Sequence, residues 1–443
     1  MNTNIILATD SYKTSQWVQY PPSTEVVYSY IESRTGGRFD SIVWFGLQAF
    51  IKQYLMKPIT MADIDEAGEI ITSNGMPFNR EGWERIIEKH NGFLPLHIKA
   101  APEGLRTKTG RVLAVVENTD PEFFWLTSYI ETAILRTAWY GSTVATISRE
   151  IKDELIPRMK ESCDTLDKLP FMLHDFGARG VSSDMSAMIG GIGHLTSFQG
   201  TDTLEAQLGA KKFYHMLGAG FSIPAMEHST VTSWGRQGEE PSYTNMLDNY
   251  AKPGALLAAV SDSYDLEHAV DVIWGKNLKQ KVIDSGATVV VRPDSGKPVD
   301  VVMMTIRGLA ENYGYTLNSK GYKVLNYIRV IQGDGIEKDS IIEICDTMLG
   351  EGWSLDNIAF GMGGALLQHC DRDWGRWAMK CSAIRINGEW RDVYKQPKTD
   401  MSKSSKRGRF DDDELLQTVY KNGVLVRDMT LGDVRANTEF SPL

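Results

Sequence analysis

Hydrophobic residues in the middle of the chain occur in short continuous runs, and each run ends abruptly in glycine and charged residues. The runs are LLAAV (256–260), VVV (289–291), RVI (329–331) and IAF (358–360). Continuous apolar runs of this length are typical of strands that are buried on both faces, as in a parallel sheet. The same pattern begins earlier, at residues 171–180 and 198–202.

The segments between these runs have the apolar spacing of helices, at residues 264–283, 298–313 and 337–350. Successive polar turns lie roughly 30 to 40 residues apart, which is enough for a strand, a loop and a returning helix. Pro298 suits a first helical turn. The repeat predicts an α/β fold with a barrel-like β/α domain, and a doubly wound sheet is the alternative.

The two ends of the chain follow other patterns. Residues 25–32 predict a strand, residues 96–116 predict a pair of strands that turns at Gly110, and residues 43–55 predict a helix. Strand and turn patterns return in the C-terminal tail, so we expect the tail to complete the first domain. The expected bounds are 1–140 with 380–443 for a mixed, mainly β domain, and 141–379 for the barrel-like domain.

The composition is typical of a soluble globular protein, since 42% of the 443 residues are apolar and 23% are charged. A formal net charge of −10 argues against nucleic-acid or anionic-membrane partners. The N-terminus does not have the pattern of a signal peptide, and the four cysteines form no CxxC pair. We therefore expect a cytoplasmic protein in which any anionic ligand meets a local basic site.

Polar residues that follow the predicted strands are candidates for a binding site. They are Asp262, Arg292, Asp294, Asp334, Gly363 and Gly364. In a barrel all strands end at one rim, where carboxylates can hold ribose hydroxyls or Mg²⁺ and glycine amides can surround a phosphate. Each short sequence taken alone is more typical of an ordinary turn, and it is their regular repetition that favours a site.

Common catalytic signatures are missing, because the chain has no GxGxxG after a strand, no GxxxxGK[ST] and no HExxH. Residues 394–409 concentrate lysine and arginine in a polar segment. A solvated surface loop is the simpler interpretation, and a flap that closes on a polyphosphate is the functional one. His228 follows an irregular stretch, and its spacing alone would make it an ordinary loop histidine.

Eleven motifs along the chain carry a family resemblance. They are ATDSYK (8–13), YPP (20–22), ENTDPEFFWLT (117–127), HDFGARGVSS (174–183), GTD (200–202), AMEHST (225–230), VSDSYD (260–265), RPDSG (292–296), NSKGYK (318–323), RVIQGDG (329–335) and FGMGG (360–364). In this order, and over essentially the whole chain, they resemble the nicotinamide phosphoribosyltransferases, which are type II phosphoribosyltransferases.

This resemblance implies a homodimer with shared active sites. The implied enzyme transfers the phosphoribosyl group of phosphoribosyl pyrophosphate to nicotinamide, which gives nicotinamide mononucleotide and pyrophosphate in NAD salvage. It also implies Mg²⁺, held mainly through the substrate pyrophosphate with its protein ligands unassigned, and ATP as a coupling substrate.

The resemblance also assigns residues to the base. Phe176 and the partner's Tyr12 are expected to stack on the two faces of the pyridine ring, with Arg292 nearby. Asp202 is expected to face the carboxamide, because a carboxylate accepts hydrogen bonds from an amide NH₂ and repels the carboxylate of nicotinate.

Other positions correspond to ribose, phosphate or pyrophosphate contacts. These are Arg34, Arg179, Arg292, Asp294, Gly333, Asp334, Gly363, Gly364, Arg372, Lys380 and Lys403. Asp262 corresponds to a carboxylate near the magnesium-bound substrate. His228 resembles the histidine that is phosphorylated by ATP in this family, and Glu227 is expected to orient its ring or tune its charge.

Three positions depart from the family pattern, since Ala378 and Ala258 replace small polar residues and Ala178 replaces a bulkier aromatic residue. Two other functions are alternatives to the implied nicotinamide phosphoribosyltransferase activity. A nicotinate phosphoribosyltransferase would share the fold and differ in its base preference. A binding protein without turnover would not need His228, Asp202, Arg292 and Asp294 together.

Overall fold

The structure, a computed structural model, describes residues 4–399 and 404–440. The chain divides into two compact units. Unit 1 contains Met1–Thr146, Gly209–Leu217 and Cys370–Leu443, and unit 2 contains Ile147–Leu208 and Gly218–His369. The predicted boundaries are residues 140 and 380. The sequence pattern does not indicate that Gly209–Leu217 belongs to unit 1, and this segment is called the excursion below. Within the described part of the chain, no helix is long and apolar enough to span a membrane.

The strands are β1 (Thr24–Ser33), β2 (Ser41–Val43), β3 (Leu96–Ala100), β4 (Arg106–Lys108), β5 (Val112–Asn118), β6 (Leu173–Asp175), β7 (Gly200–Thr201), β8 (Leu256–Val260), β9 (Thr288–Arg292), β10 (Tyr315–Leu317), β11 (Lys323–Leu325), β12 (Ile328–Gln332), β13 (Ile358–Met362), β14 (Trp377–Ile386), β15 (Glu389–Asp392), β16 (Gln417–Lys421) and β17 (Val424–Leu425).

The α-helices are α1 (Leu47–Phe50), α2 (Met61–Ser73), α3 (Arg80–His90), α4 (Leu126–Tyr129), α5 (Glu131–Ser162), α6 (Asp184–His194), α7 (Leu204–Tyr214), α8 (His228–Thr232), α9 (Glu239–Tyr250), α10 (Leu266–His268), α11 (Lys279–Ser285), α12 (Pro298–Tyr313), α13 (Lys338–Gly350), α14 (Gly364–Leu367) and α15 (Leu431–Phe440). Two π-helical segments, Ile51–Leu55 and Ala269–Asn277, continue α1 and α10.

Unit 1 is built on an antiparallel sheet with the strand order β15-β14-β1-β5-β3-β16-β17. The long strand β1 is almost entirely buried and pairs with β14 on one side and β5 on the other. Strands from both ends of the chain therefore share one sheet. The strand pair expected at 96–116 is present as β3 and β5, and β4, between them in sequence, pairs with β2 instead.

Two local predictions for unit 1 are wrong in part. The helix expected at 43–55 starts only at Leu47, because residues 41–43 form β2 and Gly46 adopts a left-handed φ of 104°. The C-terminal tail ends in the helix α15 rather than in strands and turns. Thr430 and Asp433 cap that helix reciprocally, since the Asp433 carboxylate accepts from the Thr430 N–H and the Thr430 hydroxyl oxygen accepts from the Asp433 N–H.

The excursion Gly209–Leu217 is tied into unit 1 by a buried polar network. The hydroxyl of Tyr214 donates to Glu103 over 2.7 Å, and the Gln48 amide donates to the Phe213 carbonyl over 2.6 Å. Burial raises the pKa of the Glu103 carboxyl, although the Gln48 N–H and the Tyr214 hydroxyl oppose the shift. Because buried polar groups need partners, this network holds the segment in place.

Unit 2 contains a six-stranded sheet with the order β7-β6-β13-β12-β9-β8, and every adjacent pair in it is parallel. Residues 221–226 join its two edges. At one edge the Phe221 N–H donates to the Gln199 carbonyl, and the Thr201 N–H donates to the Phe221 carbonyl. At the other edge, Ala258 exchanges backbone hydrogen bonds of 2.9 Å with Pro224 and Met226. This closing segment makes the sheet barrel-like.

The predicted fold class is therefore confirmed, with a barrel-like parallel α/β unit and a second, antiparallel unit built from both chain ends. The apolar runs form β8, β9, β12 and β13, and α12 begins at Pro298 as expected. Parallel strands end at the same edge, so their C-terminal residues meet at one rim.

The NSKGYK motif stabilises the C-terminal end of the long helix α5. Asn318 donates to the Ser162 carbonyl over 2.7 Å, and Lys320 donates to the Lys160 carbonyl. The Asn318 side chain also accepts from the backbone N–H groups of Lys320 and Tyr322. The last carbonyls of a helix have no partner within the helix, so this loop supplies the missing donors.

Replacing Asn318 with alanine should lower the free energy of unfolding by about 1–2 kcal/mol, because the capping bonds are lost. Guanidinium-induced unfolding followed by circular dichroism measures the change. Asn249→Ala, which removes a similar side-chain bond on an exposed helix surface, is the matched control and should cost less. Equal costs for the two variants would contradict a capping role for Asn318.

Candidate active site

The candidate residues of unit 2 lie at the carboxyl edge of its parallel sheet. Each follows or ends a strand or begins a short segment after it. Phe176 follows β6, Asp202 follows β7, Asp262 follows β8, Arg292 ends β9 with Asp294 next, Gly333 and Asp334 follow β12, and Gly363 and Gly364 follow β13. The structure thus brings to one rim the strand-end residues that the sequence identified.

Phe176 lies directly over the ends of the central strands. A Cβ atom added to Gly361 would lie 2.0 Å from the Phe176 ring, so only glycine leaves room for the ring there. An apolar layer of Ala258, Val290 and Ile331 packs against the ring from below. The Arg292 guanidinium carbon lies 5.9 Å from the ring centroid. Phe176 is only partly buried, so it offers a flat aromatic surface to a ligand.

Asp202 is exposed and is held through its backbone and one carboxylate oxygen. Its N–H donates to the Asp175 carbonyl over 2.9 Å. The Ser222 hydroxyl, on the closing segment, donates to Asp202 Oδ1. This contact orients the carboxylate and leaves Oδ2 as an acceptor for an outside donor.

His228 begins α8 and is bracketed by two carboxylates. Its Nε2 lies 2.9 Å from Asp262 Oδ1, and its Nδ1 lies 3.9 Å from Asp294 Oδ2. Because an ionised carboxylate only accepts, a hydrogen bond to Asp262 requires the hydrogen to be on Nε2, and the tautomer of a neutral ring that satisfies this has its lone pair on Nδ1. The Glu227 carboxylate accepts from the Ser229 hydroxyl, and the contact that orients the His228 ring comes from Asp262.

Arg292 and Asp294 form a two-pronged ion pair, with Nε to Oδ1 at 2.9 Å and Nη2 to Oδ2 at 2.7 Å. Such a pair fixes the planes of both groups.

Gly363 precedes the short helix α14, and Gly364 begins it. Arg179 lies exposed in a turn of 3₁₀-helix, and the Gln332 amide donates to the Asp334 carbonyl.

Unit 1 holds the other predicted phosphate contacts in a cationic cluster. Partial burial lowers the pKa of the Lys380 ammonium, and the positive charges of Arg34, Arg372 and Lys13 lower it further, while Glu131 opposes them. Lys13 is itself buried and ion-paired with Glu131 at 2.7 Å. Because the cations repel one another, an anion bound among them would be favoured.

The remaining predicted residues of unit 1 are Tyr12 and Lys403. Tyr12 is 58% exposed, so its ring is accessible from solvent. Lys403 lies outside the described residues. Nearby, Lys406 pairs with the buried Glu32, and Arg409 lies 4.3 Å from the Trp390 ring centroid, so part of the basic segment is anchored.

The three departures from the family pattern have different surroundings. Ala258 belongs to the apolar layer below Phe176. Ala378 is buried on β14 opposite Glu32. Ala178 is only partly buried, next to Arg179. A small side chain thus fits each of the two buried positions.

The described residues contain no group of three or more His, Cys, Asp or Glu side chains arranged to hold a metal ion. Asp262 is engaged by His228 and Asp294 by Arg292. These carboxylates do not form a ready-made protein site for Mg²⁺, which prefers several oxygen ligands and waters.

Three residues of the site were missed by the sequence reasoning. Gly361 provides room for Phe176, Ser222 binds Asp202, and Asp175 accepts a 2.8 Å hydrogen bond from the Gly177 N–H. The strand-end rule that identified Asp262 and Asp294 would also have identified Asp175. Ser222 lies in an irregular segment, where no spacing rule points to it.

Two family models match the chain. The Nicotinate phosphoribosyltransferase (NAPRTase) family matches residues 171–424, and the Nicotinamide phosphoribosyltransferase, N-terminal domain, matches residues 4–98. The first covers more than half of the chain, and the second lies within the part that forms unit 1.

Curated relatives match over nearly the full length. A nicotinamide phosphoribosyltransferase of Xanthomonas campestris pv. campestris is 49% identical and covers 99% of both chains. One from Acinetobacter baylyi is 31% identical over 98% of this chain and 96% of its own.

Solved structures share the fold at low identity. A nicotinate-nucleotide pyrophosphorylase from Pyrococcus furiosus has a TM-score of 0.62 at 16% identity, with 99% of this chain and 96% of that one covered. Human nicotinic acid phosphoribosyltransferase has a TM-score of 0.59 at 15% identity, with 98% and 93% covered. The solved structures show the shared fold, while the sequence comparisons confirm the resemblance seen in the motifs, and the chain belongs to the nicotinamide phosphoribosyltransferase family.

Proposed function

We propose that the protein transfers the phosphoribosyl group of phosphoribosyl pyrophosphate to nicotinamide, which yields nicotinamide mononucleotide and pyrophosphate for NAD biosynthesis. The observation that carries the proposal is the pairing of an open aromatic face, Phe176, with an acceptor-only carboxylate, Asp202, at one rim. The full-length similarity to nicotinamide phosphoribosyltransferases supports it.

The two base-binding groups match the two parts of nicotinamide. The ring of Phe176 can stack on an electron-poor pyridine. The free Oδ2 of Asp202 can accept from the carboxamide NH₂, and it would repel the carboxylate of nicotinate. Asp202 thus favours the amide over the acid.

Transfer requires little acid–base chemistry from the protein. The pyridine nitrogen uses its lone pair to bond to the anomeric carbon, and the carbon–oxygen bond to pyrophosphate breaks with its electrons leaving on pyrophosphate. We infer that Asp294 and Gly333 contact the ribose, while Arg179, Arg292, Gly363 and Gly364 contact the phosphate. Arginine and backbone N–H groups aimed at developing negative charge stabilise the transition state more than the ground state.

The cationic cluster of unit 1 is proposed to bind phosphate groups of the substrate, through Arg34, Arg372 and Lys380. Lys403 has the same expected role and stays a prediction. Mg²⁺ is proposed to enter as part of the phosphoribosyl pyrophosphate complex, because Mg²⁺ is usually bound through substrate phosphates and waters rather than by protein ligands alone. The cytoplasmic location also stays a prediction.

We further propose that His228 couples ATP to the reaction. Nδ1 of the neutral ring can attack the γ-phosphorus of ATP, and the bond to the bridging oxygen breaks as ADP leaves with the electron pair. Asp262 would hold the ring through Nε2 during this step. A charged phosphohistidine at the rim could then favour a state that binds phosphoribosyl pyrophosphate more tightly.

A homodimer with shared sites completes the proposal. Its support is the membership of the nicotinamide phosphoribosyltransferase family, and the exposed ring of Tyr12 is accessible for such a contact. In such a dimer, the partner's Tyr12 would cover the ring face that Phe176 does not.

Nicotinamide mononucleotide should form when the wild-type protein is given nicotinamide and phosphoribosyl pyrophosphate, and chromatography detects it. Asp202→Asn should lower kcat/KM for nicotinamide by roughly tenfold to a hundredfold, as for loss of a charge-assisted hydrogen bond of about 1.5–3 kcal/mol. It should also weaken the rejection of nicotinate. Asp284→Asn, at a distant helix, is the control. Preferential use of nicotinate by the wild type would overturn the assignment.

Mixed dimers test the shared site. Tyr12→Ala and Asp202→Ala should each be nearly inactive alone and should regain activity when co-expressed, because one site of the mixed dimer has both wild-type groups. Differential affinity tags isolate the mixed species for assay. If purified mixed dimers stay as inactive as the two parents, Tyr12 does not act on the partner's ring.

ATP labelled at the γ-phosphate should leave base-stable, acid-labile label on His228, as expected for a phosphohistidine. His228→Ala should lose the label and ATP hydrolysis while it retains slow ATP-independent synthesis. His268→Ala, another helical histidine of unit 2, should keep all three. ATP-stimulated synthesis without any label on the wild type would refute the coupling role.

A further inference from the structure

We propose that Asp175 is a positioning residue that determines base specificity together with Asp202. Its buried carboxylate fixes the backbone next to both base-binding groups and places a second negative charge behind Asp202. The inference rests on the proposed function, and it extends the specificity of that site to a residue that does not touch the base.

The geometry places Asp175 between the two base-binding residues. It ends β6, and Phe176 is its neighbour in sequence. Its side-chain Oδ1 accepts from the Gly177 N–H at 2.8 Å, and its carbonyl accepts from the Asp202 N–H at 2.9 Å. The Phe176 N–H donates to the Met362 carbonyl on the adjacent strand. A shift of Asp175 would therefore move Phe176 and Asp202 together.

The second carboxylate oxygen of Asp175 is completely enclosed. Asp175 has no exposed surface, and among the described residues no donor makes a well-aligned hydrogen bond to Oδ2, although the hydroxyls of Thr203 and Thr201 lie close enough to lower the pKa of the carboxyl. A Cβ atom added to Gly191, on α6, would lie 3.2 Å from this oxygen. Burying half of a carboxylate without a full set of partners is costly, and such a cost is often retained for a functional reason.

Burial raises the pKa of the Asp175 carboxyl to about 6, and the negative charge of Asp202 adds to the shift. The Gly177 N–H and the hydroxyls of Thr203 and Thr201 oppose it. Gly191 on α6, which approaches Oδ2, carries no charge, and Met362 on β13 is the strand-pairing partner of Asp175. Asp175 is therefore mainly ionised above pH 6 and mainly protonated well below it.

An ionised Asp175 makes the region behind Asp202 more negative. A neutral carboxamide that donates its NH₂ group toward Asp202 gains from this potential, whereas a carboxylate-bearing base is repelled by it. The charge of Asp175 can add to that of Asp202 at the bound base, because low-dielectric surroundings reduce its electrostatic potential less than water does. Discrimination between nicotinamide and nicotinate should thus exceed what Asp202 provides alone.

The test is the ratio of kcat/KM for nicotinamide to kcat/KM for nicotinate, because general damage to the site lowers both terms and leaves their ratio unchanged. Asp175→Asn keeps the size of the side chain and an acceptor for the Gly177 N–H, and it removes the charge. At pH 8 the ratio should fall by about threefold to tenfold relative to the wild type, as expected for one additional partly screened charge. Asp284→Asn should leave the ratio unchanged.

The pH dependence of the wild type provides a second measurement that does not require a variant to fold. Between pH 8 and pH 5.5 the wild-type ratio should fall as Asp175 takes up a proton, and this fall should be smaller in Asp175→Asn. An active wild type whose ratio is unchanged in Asp175→Asn at pH 8 would overturn the inference alone. A wild type that makes no nicotinamide mononucleotide would instead overturn the proposed function.

Discussion

Residues 221–226 must hydrogen-bond to both edges of the parallel sheet, and the geometry of the rim depends on this requirement. The segment pairs with β7 through Phe221 and with β8 through Pro224 and Met226. Unpaired backbone groups at two sheet edges would otherwise be exposed. Closing the sheet in this way gives the unit its barrel-like form without a further regular strand.

The closing segment also carries functional groups to the rim. Ser222 reaches Asp202 at the β7 edge, and the chain then continues from Met226 at the β8 edge into Glu227 and His228. Asp202, the proposed acceptor for the base, and His228, which contacts Asp262, are thus positioned by one short stretch. Gly220 enters it in close contact with Thr201, where a Cβ atom would lie 2.7 Å from the threonine methyl carbon. The irregularity of this stretch is a consequence of its two-sided pairing.

Much of this arrangement could be predicted from the sequence because strand ends follow a general rule. Continuous apolar runs identified β8, β9, β12 and β13, and the polar residues after them meet at one rim since parallel strands end together. The helix α15 was missed although its cap, Thr430 with Asp433, is a signal that the sequence contains. The excursion Gly209–Leu217 could not be predicted, because it depends on buried hydrogen bonds to Glu103 and from Gln48, which are distant in sequence.

The side-chain contacts of the candidate site could not be predicted from sequence patterns either. Family resemblance pointed to Glu227 as the partner of His228, yet the ring contacts Asp262, which lies 34 residues further along the chain. Gly361 has a role only because the Phe176 ring lies against it. Such dependencies arise from side chains on neighbouring strands, and no spacing along one strand reveals them.

The base is proposed to bind between the aromatic face of Phe176 and the carboxylate of Asp202. A crystal structure of the protein with nicotinamide measures this directly. The pyridine ring should stack on Phe176 with its centroid about 4.5–7 Å away, and the amide nitrogen should lie roughly 3 Å from Asp202. Nicotinamide bound elsewhere, or bound with its amide turned away from an unpaired Asp202, would contradict the account.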